Sequence, residues 1–460
     1  MRLGSETLDR LAPAVVRPGY DRGEQAIGIV HFGIGAFHRA HMAWYTDRAM
    51  AAGERDWAIA GVSLRSADVA AQLNPQQGLY TVTERSAAGD ATRLIGAVRS
   101  VLVATQQRES VIAALAAATT RIASFTVTEK GYCRAADGSL DHELAGSGSF
   151  HALLAEALRL RHDAGLPGLT LLSCDNLADN GHQLARLMAE YLDRHDPTLL
   201  PWFRAECACP GTMVDRIVPA TSEADRAEIA QAIGLEDHGA VVTEPFSQWV
   251  IEDRFAGDRP RWEAMGAELV SDVRPYETAK LRMLNGAHSL LAYCGLQRGH
   301  SYVHEAIADP ALRALVERLM HEEAAPTIAV APGQDLRAYG QALIARFANP
   351  ALNHRLIQIA MDGSQKIPQR WLEVLAERQR RGLDSPALLA GVSAWLRHVR
   401  GDNASQWGAV DDPMAPALAS AWQSAGASGV VAAIFGEGGV IASSWRPGSA
   451  ESDAIKAALQ

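Results

Sequence analysis

Glu277, Lys280, Asn285 and His288 lie close together in the run Pro275-Tyr-Glu-Thr-Ala-Lys-Leu-Arg-Met-Leu-Asn-Gly-Ala-His288. Read as an α-helix at about 100° per residue, with Lys280 at zero, the other three stand at about 60°, 140° and 80°. A carboxylate, an amine, an amide and an imidazole therefore share one face. Leu281, Met283, Leu284, Leu290 and Leu291 make its surroundings apolar. An amine held there is driven toward its neutral form, which turns lysine into a base near neutral pH. Hydride transfer from an alcohol carbon needs such a base, and donors that hold the oxygen as charge develops. Lys280 suits the base, Asn285 a donor, His288 a contact to a neighbouring hydroxyl, and Glu277 a proton exit to water. Each also has a plainer reading, Glu277 and Lys280 as an exposed i,i+3 pair and His288 as a satisfied core histidine. The four together point to an enzyme.

A hydride also needs an acceptor. The apolar run Ile27-Gly-Ile-Val-His-Phe32 reads as a strand leading into Gly33-Ile-Gly35-Ala-Phe37-His38-Arg-Ala-His41. Glycine at 33 permits a tight turn, glycine at 35 lets the backbone approach a pyrophosphate, and the next helix offers its first amides to that anion. His38 stands where a third fingerprint glycine would be. A glycine turn chosen for backbone geometry alone is the plainer alternative. Asp68, beyond a second strand, is placed to accept the adenosine ribose hydroxyls and favour NAD over NADP. Arg65 argues for NADP instead, and Ser66 or Asp68 would also cap the following helix. Phe37 and Glu129 are assigned to the cofactor side with Gly33, Gly35 and Asp68. Ser173-Cys-Asp-Asn176 follows another strand at its carboxyl end, where open α/β sheets bind ligands, so Asn176 is a second donor to the substrate oxygen. A turn asparagine is the bland alternative there.

The elements that must position these residues divide the chain. Strand-like runs at 27–32, 57–64, 121–128 and 169–174 alternate with helical stretches such as 110–119 and 149–164. That alternation predicts an α/β, Rossmann-like domain with a mostly parallel sheet over about residues 1–270. From about 271 to 460 the pattern is helical, at 279–293, 310–323, 336–347, 355–360, 370–380, 386–399 and 416–424. A mostly α-helical substrate and catalytic domain is expected there. No internal repeat or low-complexity linker separates the halves.

At 460 residues the chain exceeds what one core normally supports, and 48% hydrophobic with 21% charged residues is ordinary globular composition. The net charge of −10 offers no basic footprint for nucleic acid. Five scattered cysteines, Cys133, Cys174, Cys207, Cys209 and Cys294, suit a reducing compartment and lack metal-site spacing. No apolar leader opens the chain and no run reaches the roughly 18 apolar residues of a membrane helix. A cytoplasmic protein without a membrane partner is expected.

The combination Gly33-x-Gly35-x-Phe37-His38-Arg39-Ala40-His41, Thr128-Glu129-x-Gly131-Tyr132, Ser173-Cys174-Asp175-Asn176 and Lys280-x4-Asn285-x2-His288 resembles the mannitol dehydrogenase family, the polyol-specific long-chain dehydrogenases/reductases. The likeness extends past Asp362-Gly-Ser-Gln-Lys366. It implies a metal-independent enzyme with Lys280 as base, Asn176 and Asn285 as the oxyanion-binding pair, His288 as a substrate contact and Glu277 as proton conductor. It further implies substrate contacts from Asp215 and Lys366, and NAD preference through Asp68, although Ala67 replaces an acidic neighbour seen in some members. Gln358 replaces an arginine that mannitol dehydrogenases can carry. The stretch from Gln358 to Arg370 is similar to fructuronate reductases, and a sugar acid would need a cation, with Lys366, Arg282 and Lys130 as candidates.

The resulting expectation is an NAD-dependent oxidoreductase acting on a secondary hydroxyl of a linear sugar acid or polyol. D-mannonate/D-fructuronate is preferred, followed by D-mannitol/D-fructose or arabinitol. Binding between the two halves would exclude water from the hydride path. A sugar-phosphate dehydrogenase and a non-catalytic NAD-binding sensor are the rivals. A monomer or weak homo-oligomer is expected.

Overall fold

The computed structural model describes residues 1–351 and 353–460, and its internal contacts divide the chain into two units, Met1–Val273 and Arg274–Gln460. The first unit is built on a five-stranded sheet in the order Val98–Val103, Ala58–Ser63, Ile27–Phe32, Ile122–Phe125, Thr170–Ser173. All neighbours in it run parallel, with Val30 opposite both Ala60 and Ala123. Alternation along each strand fills two cores. Val30, Phe32, Ala60, Val62, Ala123 and Phe125 enter one, while Ile29, Ile59 and Ile122 enter the other. This is the doubly wound pattern the sequence predicts, both faces being buried under helices.

Strand order reverses at Ile27–Phe32: the chain proceeds outward to Val98–Val103 on one side, then returns to Ile122–Phe125 on the other. Such a switch point leaves a crevice at the carboxyl ends of two neighbouring strands. Gly33 and Thr126 are the residues that follow those two ends.

Two small sheets were not anticipated. The hairpin Tyr80–Ser86/Gly89–Ile95 is joined in parallel by Val241–Thr243. Gln248–Glu252 pairs antiparallel with Thr212–Asp215 and parallel with Glu268–Val270.

The second unit has no named strand among its described residues. At its centre Gly286–Gln297 is buried along almost its whole length, wrapped by Val303–Ala308, Leu356–Ala360 and Pro386–Arg400. Three segments widen into π-helical turns, Lys280–Asn285, Leu319–Ala324 and Pro368–Leu372. The first packs against the other two. At Pro368–Leu372 the cause is visible: proline lacks an N–H and interrupts the four-residue ladder, and the Glu373 N–H bonds back five residues to the Pro368 carbonyl.

One expectation is corrected here. Ala415–Phe435 is long and apolar enough, by length and composition, to cross a membrane. Gly426 breaks it at φ +57°, and Leu418, Trp422, Val430 and Phe435 pack into the core of the second unit. That is how an interrupted core helix behaves.

Candidate active site

In the first unit the glycine turn has the geometry its residues imply. Gly33 sits at φ +92°, and a Cβ there would lie 2.0 Å from the Thr126 carbonyl oxygen, so only glycine fits. Gly35 is extended and exposed; a Cβ on it would meet nothing closer than the Gly33 oxygen at 4.0 Å. Its small size leaves open space above the turn. The Thr126 hydroxyl donates to the Gly33 carbonyl at 2.6 Å, tying the two strand ends together. The helix after the turn is short, Ala36–Ala40, and breaks at His41 before Met42–Ala51.

Beneath the turn, His38 stacks on His31 with ring centroids 3.4 Å apart. His31 bonds Ser124 at 2.8 Å and Thr126 at 2.9 Å, and burial drives its pKa down to about 3. Both rings are neutral filling, which explains an imidazole where a third fingerprint glycine was expected. Phe37 is half-buried against the His41 ring.

Asp68 is exposed at the first position of Asp68–Leu73. Its carboxylate accepts the Ser66 hydroxyl at 2.6 Å, and Ser66 Oγ accepts the Asp68 N–H at 3.0 Å. The capping expectation is corrected: Ala67 is the N-cap and no side chain caps the helix, so Ser66 and Asp68 bond each other instead.

Thr128-Glu-x-Gly131-Tyr132 and Ser173-x-Asp175-Asn176 form a single hydrogen-bonded unit. The Tyr132 hydroxyl lies 2.6 Å from Ser173 Oγ and donates to Asp175 at 2.9 Å. Asp175 also accepts the N–H groups of Thr128 at 2.8 Å and Val127 at 3.1 Å. Burial raises the carboxyl's pKa and these bonds oppose the shift. At Gly131 a Cβ would fall 2.7 Å from Val127, which accounts for that glycine. The unit leaves Glu129 and Asn176 exposed on adjoining turns. Asp215 is buried at the end of Thr212–Asp215.

In the second unit, the helix carrying Lys280 is corrected from a uniform α-helix. Lys280–Asn285 is a π turn in which the Gly286 N–H reaches back five residues to the Leu281 carbonyl. One turn now spans about 4.4 residues instead of about 3.6. Asn285 therefore stands about 50° round the helix from Lys280 instead of about 140°. Glu277 precedes the π turn and His288 follows it in regular α-helix. Glu277, Lys280 and Asn285 are half-buried, while Met283, Leu284, Leu290 and Leu291 enter the core.

His288 is buried, with its ring 4.6 Å from Phe347 and 5.2 Å from His354. Its Nε2 is enclosed and carries no hydrogen bond. Burial, then the nearby charges of His354, Arg346 and Arg370, holds its pKa well below the ordinary imidazole value. A neutral ring can either donate to a hydroxyl or accept from one.

Arg370 was not singled out by sequence, although it lies four residues past Lys366. Its Nη1 donates to Ser289 Oγ at 2.9 Å and, more weakly, to the Asn285 carbonyl at 3.4 Å. Burial lowers its pKa to about 10. Lys366 is half-buried, its Nζ donating to the Met361 carbonyl at 2.6 Å with Asp362 at 3.9 Å. Burial, then Arg370, lowers its pKa. Arg282 is spoken for: it bonds Thr327 twice and pairs with Glu373 at 3.7 Å. Gln358 lies on the exposed side of Leu356–Ala360, and Lys130 is exposed in the first unit.

Comparison with known proteins places both units in one family. The mannitol dehydrogenase Rossmann domain matches residues 27–264 and the mannitol dehydrogenase C-terminal domain matches residues 272–440. An uncharacterised oxidoreductase of Escherichia coli, YeiQ, is 44% identical over 86% of this chain and 84% of its own. D-mannonate oxidoreductase of the same organism is 42% identical over 87% of this chain and 86% of its own. The solved structure of Pseudomonas fluorescens mannitol 2-dehydrogenase, a ternary complex with NAD and D-mannitol, is similar at 33% identity, with a TM-score of 0.82 covering 100% of this chain and 96% of that one. The chain belongs to the mannitol dehydrogenase family of oxidoreductases.

Proposed function

We propose that this chain is an NAD-dependent, metal-independent dehydrogenase that interconverts a secondary alcohol and a ketone on a linear sugar acid, with D-mannonate/D-fructuronate as the preferred pair. The observation that supports this reading is the Lys280–Asn285 π turn, which turns an amide toward the face of an amine in half-buried, apolar-flanked surroundings. NAD, when bound, supplies the hydride acceptor. The residues present fit it: Gly33 makes the turn, Gly35 leaves room for a pyrophosphate, and Phe37, Asp68 and Glu129 lie on the same unit.

The protein's own work is binding and proton transfer. The neutral amine of Lys280 takes the hydroxyl proton as the carbon gives up its hydride, and Glu277 passes that proton to water. The amides of Asn285 and Asn176 hold the oxygen while charge develops on it. Neutral His288 orients a neighbouring hydroxyl, and Asp215, Lys366 and Gln358 serve the remainder of the substrate. The lean toward an acid is supported by Lys366 and Arg370, a cationic pair one helical turn apart. A second reading, D-mannitol/D-fructose or an arabinitol, is favoured by the likeness to mannitol 2-dehydrogenase in complex with D-mannitol.

NADH formation at alkaline pH from mannonate, mannitol, arabinitol, sorbitol and altronate decides between them. The highest kcat/KM on mannonate with NAD supports the proposal. The highest value on mannitol or arabinitol replaces it with the second reading, and no turnover of any of the five refutes both.

A further inference from the structure

A sugar acid brings a carboxylate that a polyol lacks, and some cation must meet it. In the second unit Arg282 is held by Thr327 and Glu373, and Lys366 already serves the Met361 carbonyl with Asp362 nearby. Arg378 spends its guanidinium on the Glu322 and Asp384 carbonyls and on Ser385. Arg370 differs. It has no carboxylate ion pair among the described residues, whereas Arg282, whose hydrogen bonds likewise come from Nη1 alone, has Glu373; those of Arg370 go to Ser289 and Asn285. Nε and Nη2 bond to no described residue.

Those two nitrogens form one edge of the planar guanidinium, the edge that grips both oxygens of a carboxylate at once. A largely buried guanidinium without a counter-ion is costly, and an arriving anion removes that cost. The location also fits. Pro368–Leu372 packs directly on Lys280–Asn285, and Ser289, which steadies Nη1, is the neighbour of His288 in sequence. Arg370 is thus fixed by the helix that bears the base, with its two-donor edge unspent.

We propose that Arg370 is the carboxylate anchor that makes this enzyme select a sugar acid over the neutral polyol of the same carbon skeleton. Lys366, one turn earlier, adds a second positive charge while remaining tied to its own backbone. Ser289 is a positioning residue that aims the fork. This inference rests on the sugar-acid reading above and names the side chain responsible for it.

The test compares kcat/KM for D-mannonate and D-mannitol, with NAD, in the full-length wild type and in Arg370→Met and Arg370→Lys. The acid-to-polyol ratio is expected to fall about 100-fold in Arg370→Met, chiefly through KM for the acid, the size of a lost buried ionic contact. In Arg370→Lys it is expected to fall about tenfold, because an ammonium keeps the charge and loses the fork. If Arg370→Met does not fold, the lysine variant decides alone. A wild type that prefers mannonate, with an unchanged ratio in the variants, overturns the role of Arg370 and leaves the sugar-acid reading standing. A wild type that shows no preference for mannonate overturns both.

Discussion

The Asp175 carboxylate accepts the Thr128 N–H at 2.8 Å, and Thr128 sits at φ +64°, in the left-handed region that β-branched residues avoid. Such a conformation costs roughly 1–3 kcal/mol and persists only where the surroundings over-determine it. Asp175 is that determinant, since it also holds Val127 and the Tyr132 hydroxyl. Asp175→Ala is expected to lower stability by about 2–4 kcal/mol in urea unfolding, as buried charge-assisted bonds are lost. NAD affinity should fall with it, because Glu129 rides on the adjoining turn. Wild-type stability in the variant would show that the turn holds itself.

The two glycines of the turn should fail differently. Gly33→Ala puts a Cβ 2.0 Å from the Thr126 oxygen at a φ of +92°, so soluble, folded protein should be scarce. Gly35→Ala meets nothing closer than 4.0 Å, so its melting temperature should stay within a few degrees of wild type. Its NAD dissociation constant should rise at least about tenfold, since the methyl occupies the space assigned to the pyrophosphate. Calorimetry and NAD titration on the pair separate the structural glycine from the binding one.

His31, His38, His151 and His288 are buried, and burial is the leading cause holding each below the ordinary imidazole range, to about 3 for His31 and His151. The unfolded chain takes up these protons below about pH 6.5 while the folded chain refuses them. Their contribution to stability is therefore complete above that pH and lost as pH falls toward the folded values. Each should account for about 1 kcal/mol between pH 7.5 and 5.5. His151 tests this cleanly, for its ring stacks on Phe150 at 3.9 Å and neither nitrogen has a hydrogen-bond partner. His151→Leu should lose about 1 kcal/mol less than wild type between those two pH values in urea titrations. An identical loss would show that His151 is protonated inside the fold.

Much of this architecture was readable from residues 27–32, 58–63, 122–125 and 170–173, because strands buried on both faces leave short apolar runs bounded by turns. The π turn at Lys280 was not, because a fixed angular step assumes a four-residue ladder and nothing local announces a fifth. The helical character of the segment from Glu277 to His288 was legible, since it stays helical through the widened turn. Asp175 and Arg370 were missed as determinants for a common reason. Each acts through partners 47 and 81 residues away in the chain, Thr128 and Ser289, and such pairings exist only once the fold is made. The Ala415–Phe435 helix misled in the opposite direction, since serines, a glutamine and glycines interrupt any continuous apolar run while its mean hydropathy stays high.

The central claim is that Lys280 is the base, and the most direct measurement is single-turnover NADH formation from D-mannonate in Lys280→Ala, beside NAD titration of the same protein. Loss of about 10³-fold in the rate of the hydride step, with NAD affinity and melting temperature at wild-type values, is the expected result. A hydride step within a few-fold of wild type would contradict the assignment and return Lys280 to the role of a half-buried helical lysine.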